Sequence, residues 1–302
     1  MLNALVSTES MSREKWLEWR NKGIGGSDAS VICGINKYKS PVELWLEKTG
    51  QIEPKKAGEA AYWGNIMEPL IREEFTRRTG LRVGIEKNIL QHPFHPFMLA
   101  NLDGIIIDSE KKCDYIFEAK TANLFVAGYW ELDVPENYQL QVQHYMAVTG
   151  YAGAYVAVLI GGNQFKYCFI ERDEEIIALL IKLEKHFWDC VVKKRQPKID
   201  GSKASTELLN RLYPKGKTKK VSVLPENAIE LIKQYEEYQA NEADAALKKE
   251  EASNKLKEML SDGEYGSAGG KMVCWTNVSS ERLNTKRLKA EYLHKISCKI
   301  KL

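Results

Sequence analysis

The sequence predicts an α/β fold in which helices pack on the faces of a β-sheet, followed by a mainly helical C-terminal extension. Up to about residue 200, helical and strand patterns alternate in the order helix, three strands, helix, two strands, helix, which is typical of layered α/β domains. Beyond that point the composition changes to a basic stretch and then a long helical pattern. We therefore predict a domain at 1–200, a basic linker at 201–224 and a helical extension at 225–302 that ends in a strand and turn.

Four helices of the first domain are predicted from capping signals and apolar periodicity, at 40–49, 59–79, 133–149 and 173–195. Ser40 to Glu43 form a capping box with proline at the first helical position, and Asp133 to Glu136 form a second capping box. Glycines follow three of these helices, as expected for helix ends. Pro69 is expected to kink the second helix or to mark a restart.

Five strands are predicted at 81–90, 98–107, 113–119, 152–160 and 165–170. The polar "DSEKK" between the second and third strands indicates a hairpin, and so does Gly161-Gly162-Asn163 between the last two.

The C-terminal extension is predicted to contain one long helix, at about 225–260. An apolar seam recurs along it at heptad spacing, interrupted by Glu242 and Lys249. An intramolecular helix partner or a weak coiled coil would explain the pattern. The apolar members of this seam are Leu231, Tyr235, Tyr238, Ala245, Ala252, Leu256 and Met259.

Composition excludes several classes of protein. A 44% share of hydrophobic residues with 28% charged residues is that of a globular protein. No apolar run approaches the roughly 18 residues of a membrane span, and the N-terminus lacks the order of a signal peptide, so we expect a cytoplasmic protein without a membrane partner. The six scattered cysteines form no CxxC pair, which disfavours zinc and iron–sulfur sites. The net charge of +3 does not by itself indicate nucleic acid, although 191–198 and 211–220 are locally basic.

The segment "DYIFEAK" carries the strongest signal for chemistry. Glu118 and Lys120 leave an apolar strand on the same face, and the neighbouring strand can bring Asp103 close to Glu118. Two adjacent carboxylates repel unless a cation lies between them, and Mg²⁺ prefers such oxygen ligands. Lys120 could then orient a water molecule and stabilise negative charge. The alternative is a surface ion pair between Glu118 and Lys120 on an edge strand.

Three further features support a site of this kind. Glu68 lies on or beside the apolar face of the helix at 59–79, and Gln141 is a polar residue within an apolar helical stripe. The glycine-rich "RNKGIGGSDAS" fits neither a dinucleotide fingerprint nor a P-loop. It is interpreted as a turn that places Ser27 or Asp28 at a helix N-cap near Arg20, where a phosphate could bind. The alternatives are a partly exposed glutamate, a satisfied buried amide and an ordinary loop.

Five motifs in order resemble a known family over roughly residues 10–195: "WLEWRNKGIGGSDAS", "WGNIMEP", "LANLDG", "FEAKT" and "YQLQVQHYMAVTG". They are similar to the YqaJ-type viral recombinases, relatives of phage lambda exonuclease in the PD-(D/E)XK nuclease superfamily. The resemblance implies a restriction-endonuclease-like mixed sheet flanked by helices. Leu102 stands where the superfamily's eponymous proline would be, which is common in this branch. The scattered cysteines argue against the iron–sulfur branch.

The resemblance also implies a role for each candidate residue. Asp103, Glu118 and the backbone carbonyl of Ala119 would hold one or two Mg²⁺ or Mn²⁺ ions, with Glu68 completing the acidic site. Lys120 would activate the attacking water, and Gln141 with Tyr145 would support the site. Arg20 and Ser27 would grip the phosphate at a DNA 5′ end.

The activity implied is metal-dependent exonuclease digestion of linear double-stranded DNA, 5′-to-3′, in phage-type recombination within a bacterial host cell. The partners implied are DNA ends, a single-strand annealing protein and further copies of the chain. A trimer is one candidate, although the C-terminal extension has no counterpart in the compact lambda enzyme. Two other functions stay open: a structure- or site-specific endonuclease on the same core, and a non-catalytic DNA-binding or assembly module.

Overall fold

The computed structural model describes residues 2–55, 58–108, 113–131, 133–214 and 222–276. The chain forms two compact units, 1–217 and 218–302. None of the helices within these described segments combines the length and the apolar character needed to cross a membrane.

The first unit contains seven α-helices within its described residues and a short 3-10 helix, Leu124–Trp130. The α-helices are α1 (Arg13–Asn21), α2 (Gly26–Ile32), α3 (Pro41–Lys48), α4 (Glu59–Thr79), α5 (Glu136–Thr149), α6 (Glu174–Val192) and α7 (Lys203–Leu212).

Nine strands in the described part of this unit form two sheets. They are β1 (Ala4–Ser7), β2 (Ile24–Gly25), β3 (Val83–Gly84), β4 (Asn88–Gln91), β5 (Met98–Ala100), β6 (Gly104–Asp108), β7 (Cys113–Ala122), β8 (Gly153–Ile160) and β9 (Gln164–Glu171). The larger sheet has the order β3-β6-β7-β8-β9 and the smaller β1-β4-β5-β2. In the larger sheet, β7 and β8 are parallel and the other pairs antiparallel. The predicted mixed sheet flanked by helices is confirmed.

The central strand β7 lies between two helix layers. Its alternating side chains enter opposite cores, as the period of a strand requires. Phe117 packs with Phe75 of α4 on one face, and Ile116 joins Val142 of α5 on the other. Helix α5 is also the connection between the parallel strands β7 and β8. The sheet therefore holds α4 and α5 on either side of the end of β7.

Two of the predicted strands are each divided between the two sheets. The strand predicted at 98–107 is wrong as a single element, because β5 ends at Ala100 and β6 begins at Gly104. The backbone N–H of Ala119 donates to the carboxylate of Asp103 at 2.9 Å instead of to a strand carbonyl. The strand predicted at 81–90 is likewise divided into β3 and β4. Here the Glu86 carboxylate accepts the backbone N–H of Asn88 at 2.8 Å, at the residue where β4 begins and pairs with β1.

The helices predicted at 40–49, 59–79, 133–149 and 173–195 are present as α3, α4, α5 and α6, with differences at the start of α5 and at the end of α6, which is reached at Val192. The capping box predicted at Asp133 is wrong: α5 begins after Pro135, and the Asp133 carboxylate instead accepts the N–H of Val134 at 2.7 Å. Helix α4 runs through Pro69 without a restart. A proline withholds one N–H from the helix ladder, and the buried Ile71 and Phe75 of the same helix hold it against the sheet.

The predicted basic linker at 201–224 contains a folded helix. Helix α7 buries Ala204 and Leu208 in the first unit, and Arg211 donates to the buried Glu43 carboxylate at 2.8 Å. The amphipathic spacing of Ala204 and Leu208 is difficult to recognise in the sequence, because many of the residues around them are basic. Residues 215–221 of the predicted linker lie outside the described residues.

The second unit is described over 222–276 and consists of a long helix and a hairpin. Helix α8 (Ala228–Leu260) has 33 residues, which agrees with the helix predicted at 225–260. Strands β10 (Tyr265–Ala268) and β11 (Lys271–Cys274) pair antiparallel. The predicted strand near "KMVCW" is thus present, and the rest of the predicted segment lies outside the described residues.

Candidate active site

A cleft of about 380 Å³ opens at the end of β7. All the candidate catalytic, metal-binding and phosphate-binding residues line it, although they come from α1, α2, α4, α5, β7 and the break between β5 and β6. They are Arg20, Ser27, Glu68, Asp103, Glu118, Ala119, Lys120, Gln141 and Tyr145.

Glu118 is the buried acid at the bottom of this cleft, with only 2% of its surface exposed. Its Oε1 is contacted by the Lys120 ammonium and accepts the Gln141 side-chain N–H at 2.6 Å. Its Oε2 is buried and has no hydrogen-bond partner among the described residues. Burial and the nearby Asp103 raise the pKa of Glu118 to about 8. The surface ion pair on an edge strand is therefore wrong, because the pair is buried on a strand flanked by β6 and β8.

Asp103 is placed by the break between β5 and β6. Its Oδ2 accepts the Ala119 N–H at 2.9 Å, which anchors the carboxylate beside the end of β7. The next residue, Gly104, lets β6 pack closely against β3, since a Cβ there would lie 2.4 Å from a Val83 methyl carbon. Burial raises the pKa of Asp103, with the charge of Lys120 opposing the shift.

Glu68 reaches the same cleft from α4. Its side chain is 31% exposed and its Oε1 accepts from the Arg72 guanidinium at 2.6 Å. Burial and the charge of Asp103 raise the pKa of Glu68. All three carboxylates are thus harder to ionise than usual, as expected where acids share one poorly solvated space. The Arg72 pairing was missed, although its i, i+4 spacing from Glu68 is a readable signal.

The carboxylates of Glu68, Asp103 and Glu118 are suited to a hard cation, but they do not form a complete set of metal ligands in this arrangement. Within the described residues, no three His, Cys, Asp or Glu side chains form a ready cluster for an ion. The fit lies instead in the chemistry of the donors: oxygen atoms only, with one buried and unbonded on Glu118. Magnesium and manganese favour such ligands.

Unbonded carboxylate oxygens also occur in α3, and they differ from that of Glu118. Glu43 and Glu47 each have one buried oxygen without a hydrogen bond. Their other oxygens face cations, Arg211 at 2.8 Å for Glu43 and Lys39 at 2.6 Å for Glu47. Neither lines the cleft. Glu118 is distinguished by a second carboxylate beside it and by an opening to the surface.

Lys120 remains a cation in this site. Burial alone would lower its pKa, but the charges of Glu118 and Asp103 raise it. The ring of Tyr138 lies 4.9 Å from its nitrogen. An ammonium held in this state donates hydrogen bonds and neutralises charge rather than accepting a proton.

Gln141 links the acid to helix α5. Its amide nitrogen has two hydrogens, which go to Glu118 and to the Tyr145 hydroxyl, the latter at 3.1 Å. Helix α2 approaches this pair closely at Gly26, where a Cβ would lie 2.4 Å from the Tyr145 ring. The polar residue in the apolar stripe is therefore a satisfied amide that also positions Glu118.

Arg20 and Ser27 lie at one wall of the cleft and contact each other. The Arg20 guanidinium lies 5.1 Å from the Trp16 ring and 4.0 Å from Asp28 Oδ1. The N-cap predicted at Ser27 or Asp28 is wrong: α2 begins after Gly25, and the Asp28 carboxylate at the third position accepts the Gly25 N–H at 3.1 Å.

Lys48, whose buried side chain contacts Arg20 and Asp28 but does not line the cleft, was missed in the sequence. Its nitrogen lies 3.0 Å from Asp28 Oδ2 and donates to the Arg20 carbonyl at 2.9 Å. Burial alone would raise the pKa of Asp28, but Lys48 and Arg20 lower it to about 2. Lys48 pairs with one carboxylate oxygen of Asp28, and the Arg20 guanidinium lies farther away, 4.0 Å from the other oxygen. Arg20 is therefore not held in a close ion pair with Asp28 and is available to an anion. No local pattern marks this residue, because its partners lie 20 and 28 positions away.

Comparisons with known proteins agree with this architecture. Residues 15–152 match the YqaJ-like viral recombinase domain. The chain is 42% identical over 293 residues to the YqaJ protein of Bacillus subtilis (strain 168), covering 95% of this chain and 91% of that protein. It is 30% identical over 105 residues to protein R354 of Acanthamoeba polyphaga mimivirus, covering 35% of this chain and 19% of that protein.

A solved structure shares the fold. The alkaline exonuclease LHK-Exo from Laribacter hongkongensis superposes with a TM-score of 0.52 at 20% identity, over 66% of this chain and 97% of that one. Its structure in complex with dAMP gives a TM-score of 0.51. The predicted restriction-endonuclease-like fold is confirmed.

Proposed function

Because the chain belongs to the family of the YqaJ-like viral recombinase domain, we propose that it is a metal-dependent DNA exonuclease. It would hydrolyse phosphodiester bonds of linear double-stranded DNA in the 5′-to-3′ direction. The solved relative is named as an alkaline exonuclease and has been crystallised with dAMP, which supports a nuclease acting on DNA.

One observation carries the proposal: the buried carboxylate of Glu118, with an unbonded oxygen, lies beside a second carboxylate and a lysine at the floor of an open cleft. Leaving a buried acceptor unsatisfied costs roughly 1–3 kcal/mol. Perturbed acids in a cleft are candidates for function. A ligand that completes Glu118 would recover this cost.

The same residues fit a divalent cation. Asp103 and Glu118 would hold one or two Mg²⁺ or Mn²⁺ ions, with Glu68 and the Ala119 carbonyl as further oxygen ligands. The cation would supply Lewis-acid activation of the scissile phosphate. Because Arg72 already pairs with Glu68, Glu68 would be the weakest of these ligands.

The chain's other residues would then place the reactants. Lys120 would donate a hydrogen bond to the attacking water and stabilise the negative charge that develops on phosphate. The water gives up a proton to bulk water as its oxygen bonds to phosphorus. The bond from phosphorus to the 3′ oxygen breaks and that oxygen takes a proton from bulk water, which releases a nucleotide with a free 3′ hydroxyl and leaves a 5′ phosphate on the shortened strand. Gln141 would keep Glu118 oriented throughout.

Arg20 and Ser27 would determine where cleavage begins. A guanidinium and a hydroxyl together can bind a terminal phosphate, and Arg20 and Ser27 both line the same cleft as the acids. A 5′ phosphate held there would place the first internal phosphodiester at Glu118. The remaining 3′ strand would pass to a single-strand annealing protein, in the cytoplasm of a bacterial host.

The test is digestion with Mg²⁺ of linear duplexes labelled at the 5′ or the 3′ end, beside a covalently closed circle. We expect early release of 5′ label, late release of 3′ label and an intact circle. Cleavage of the circle would instead indicate the endonuclease alternative, and no cleavage of any substrate the non-catalytic one.

Lys120→Ala is the variant that we expect to lose DNA cleavage. Lys39→Ala is its control, because Lys39 also pairs with a buried glutamate, at 2.6 Å, but outside the cleft. We expect cleavage to fail in the first variant and to persist in the second. Undiminished cleavage by Lys120→Ala would overturn the assignment.

A further inference from the structure

Helix α8 presents an apolar seam along four heptads, defined by Leu231, Tyr235, Tyr238, Glu242, Ala245, Lys249, Ala252, Leu256 and Met259. We propose that this α8 seam pairs with the α8 seam of a second copy of the chain, in antiparallel orientation. This association is independent of the nuclease chemistry.

The seam is exposed where a partner would be needed. Leu231, Tyr235, Tyr238 and Met259 are between 62% and 80% exposed, and α8 has no buried residue. A helix of 33 residues with apolar groups at alternating spacings of three and four is the pattern of a coiled-coil strand. Exposed large side chains in such a row indicate an interaction surface.

The two charged seam residues select the orientation. In a parallel pair, each residue faces its own copy in the partner. Glu242 would then face Glu242, and Lys249 would face Lys249. Like charges in a seam are destabilising, so the parallel arrangement is disfavoured.

An antiparallel pair that crosses near Ala245 removes both conflicts. Residues that lie at equal distances on either side of the crossing point meet across a two-fold axis. Glu242 of one copy therefore lies next to Lys249 of the second copy, and the same contact occurs again by symmetry.

Neither charge is satisfied within its own helix. Glu242 and Lys249 are seven residues apart, roughly 10 Å along the axis, and they make no ion pair in the described part of the chain. Their neighbours do: Lys248 pairs with Asp244 and Lys255 with Glu251, both at 2.6 Å. Other charged residues of α8, Lys233 and Glu237 among them, also lack an ion pair in the described part of the chain, so Glu242 and Lys249 are distinguished by their position on the seam.

The test is sedimentation velocity of the full chain over a concentration series without DNA. Wild type should associate. Glu242→Lys places lysine opposite lysine and Lys249→Glu places glutamate opposite glutamate, so each should weaken association about tenfold. The double variant E242K/K249E should associate as wild type does. An equimolar mixture of the two single variants should also associate, because their charges are complementary.

Matched controls change the same charges away from the seam. Glu237→Lys and Lys233→Glu lie on other faces of α8 and should leave association unchanged. A wild-type chain that stays monomeric throughout the series would overturn the proposal. So would single variants that associate like wild type, or a double variant and a mixture that both fail to recover.

Discussion

Two buried glutamates, Glu184 and Glu118, contact helix α5 about one turn apart, but only one of them has all of its carboxylate oxygens paired. Glu184 of α6 meets His144 of α5, with both carboxylate oxygens 2.8 and 3.0 Å from the ring Nδ1. The other ring nitrogen is 2.9 Å from the Leu99 carbonyl. Glu118, which meets Gln141 of α5, keeps one oxygen unbonded beside another acid.

This difference distinguishes the structural pair of Glu184 and His144 from the candidate active site at Glu118. His144 lies between two acceptors, so both of its nitrogens can donate only when the ring is protonated. Burial alone would lower its pKa, but Glu184 and the Leu99 carbonyl raise it. Every polar atom of that pair is satisfied within the protein. Glu118 lines the cleft with one oxygen that has no hydrogen-bond partner among the described residues, and a bound ligand can supply that partner.

The largest expected effect is the loss of cleavage in Glu118→Gln. Removing this charge should lower the rate of DNA digestion about 10³-fold. The free energy of unfolding should stay equal or rise by about 1 kcal/mol, because glutamine removes a charge that burial and Asp103 disfavour and keeps an oxygen for Lys120 and Gln141. Chemical denaturation and the end-labelled digestion assay measure the two. A variant that loses stability and activity together would contradict the comparison.

The opposite outcome is expected for Glu184→Ala. Removing one partner of a buried pair should lower the free energy of unfolding by about 3–5 kcal/mol. Digestion per folded molecule should stay near wild type, since neither residue lines the cleft. Urea denaturation gives the first quantity, and digestion normalised to the folded fraction gives the second. Unchanged stability would show that the pair is not a structural element.

A smaller effect is expected at the proposed phosphate-binding residues, Arg20 and Ser27. In Lys48→Met, Asp28 loses its nearer cation and should draw Arg20 from its 4.0 Å distance into a direct pair. The preference for 5′-phosphorylated over 5′-hydroxyl ends should then fall about tenfold, or about 1.4 kcal/mol. The digestion rates of the two substrates give this ratio directly.

A second substitution separates positioning from general destabilisation. D28N removes the competing charge, so K48M/D28N should recover the end preference that K48M loses. Lys39→Met breaks a comparable pair outside the cleft and should leave the preference unchanged. Failure of the double variant to recover would mean that Lys48 acts only through the fold.

The smallest effect is the pH dependence of stability from His144. Its folded-state pKa is raised, so its stabilisation is complete below the unfolded pKa of about 6.5 and is lost as pH rises through the folded value. Wild type should therefore lose stability above pH 6.5 by more than Glu184→Gln does. Urea denaturation across pH measures the difference, and identical slopes would contradict a protonated His144.

Sequence patterns could predict the members of the cleft but not their partners. Glu118, Lys120 and Asp103 are readable because strand periodicity and a hairpin place them together. Lys48 was not readable, because its contacts lie in other helices and depend on how those helices pack.

The division of the predicted strand at 98–107 could not be predicted for a similar reason. Its apolar residues satisfy strand periodicity throughout, and only the hydrogen bond from Ala119 to Asp103 shows where one sheet ends. The His144–Glu184 pair spans 40 positions and gives no local signal.

The most direct test of the proposed cation site is Mn²⁺ binding measured by calorimetry without DNA. Wild type and Glu47→Gln should bind Mn²⁺ equally, because Glu47 also has an unbonded buried oxygen but lies outside the cleft. Glu118→Gln should bind at least tenfold more weakly. Equal Mn²⁺ binding by Glu118→Gln and wild type would contradict the account.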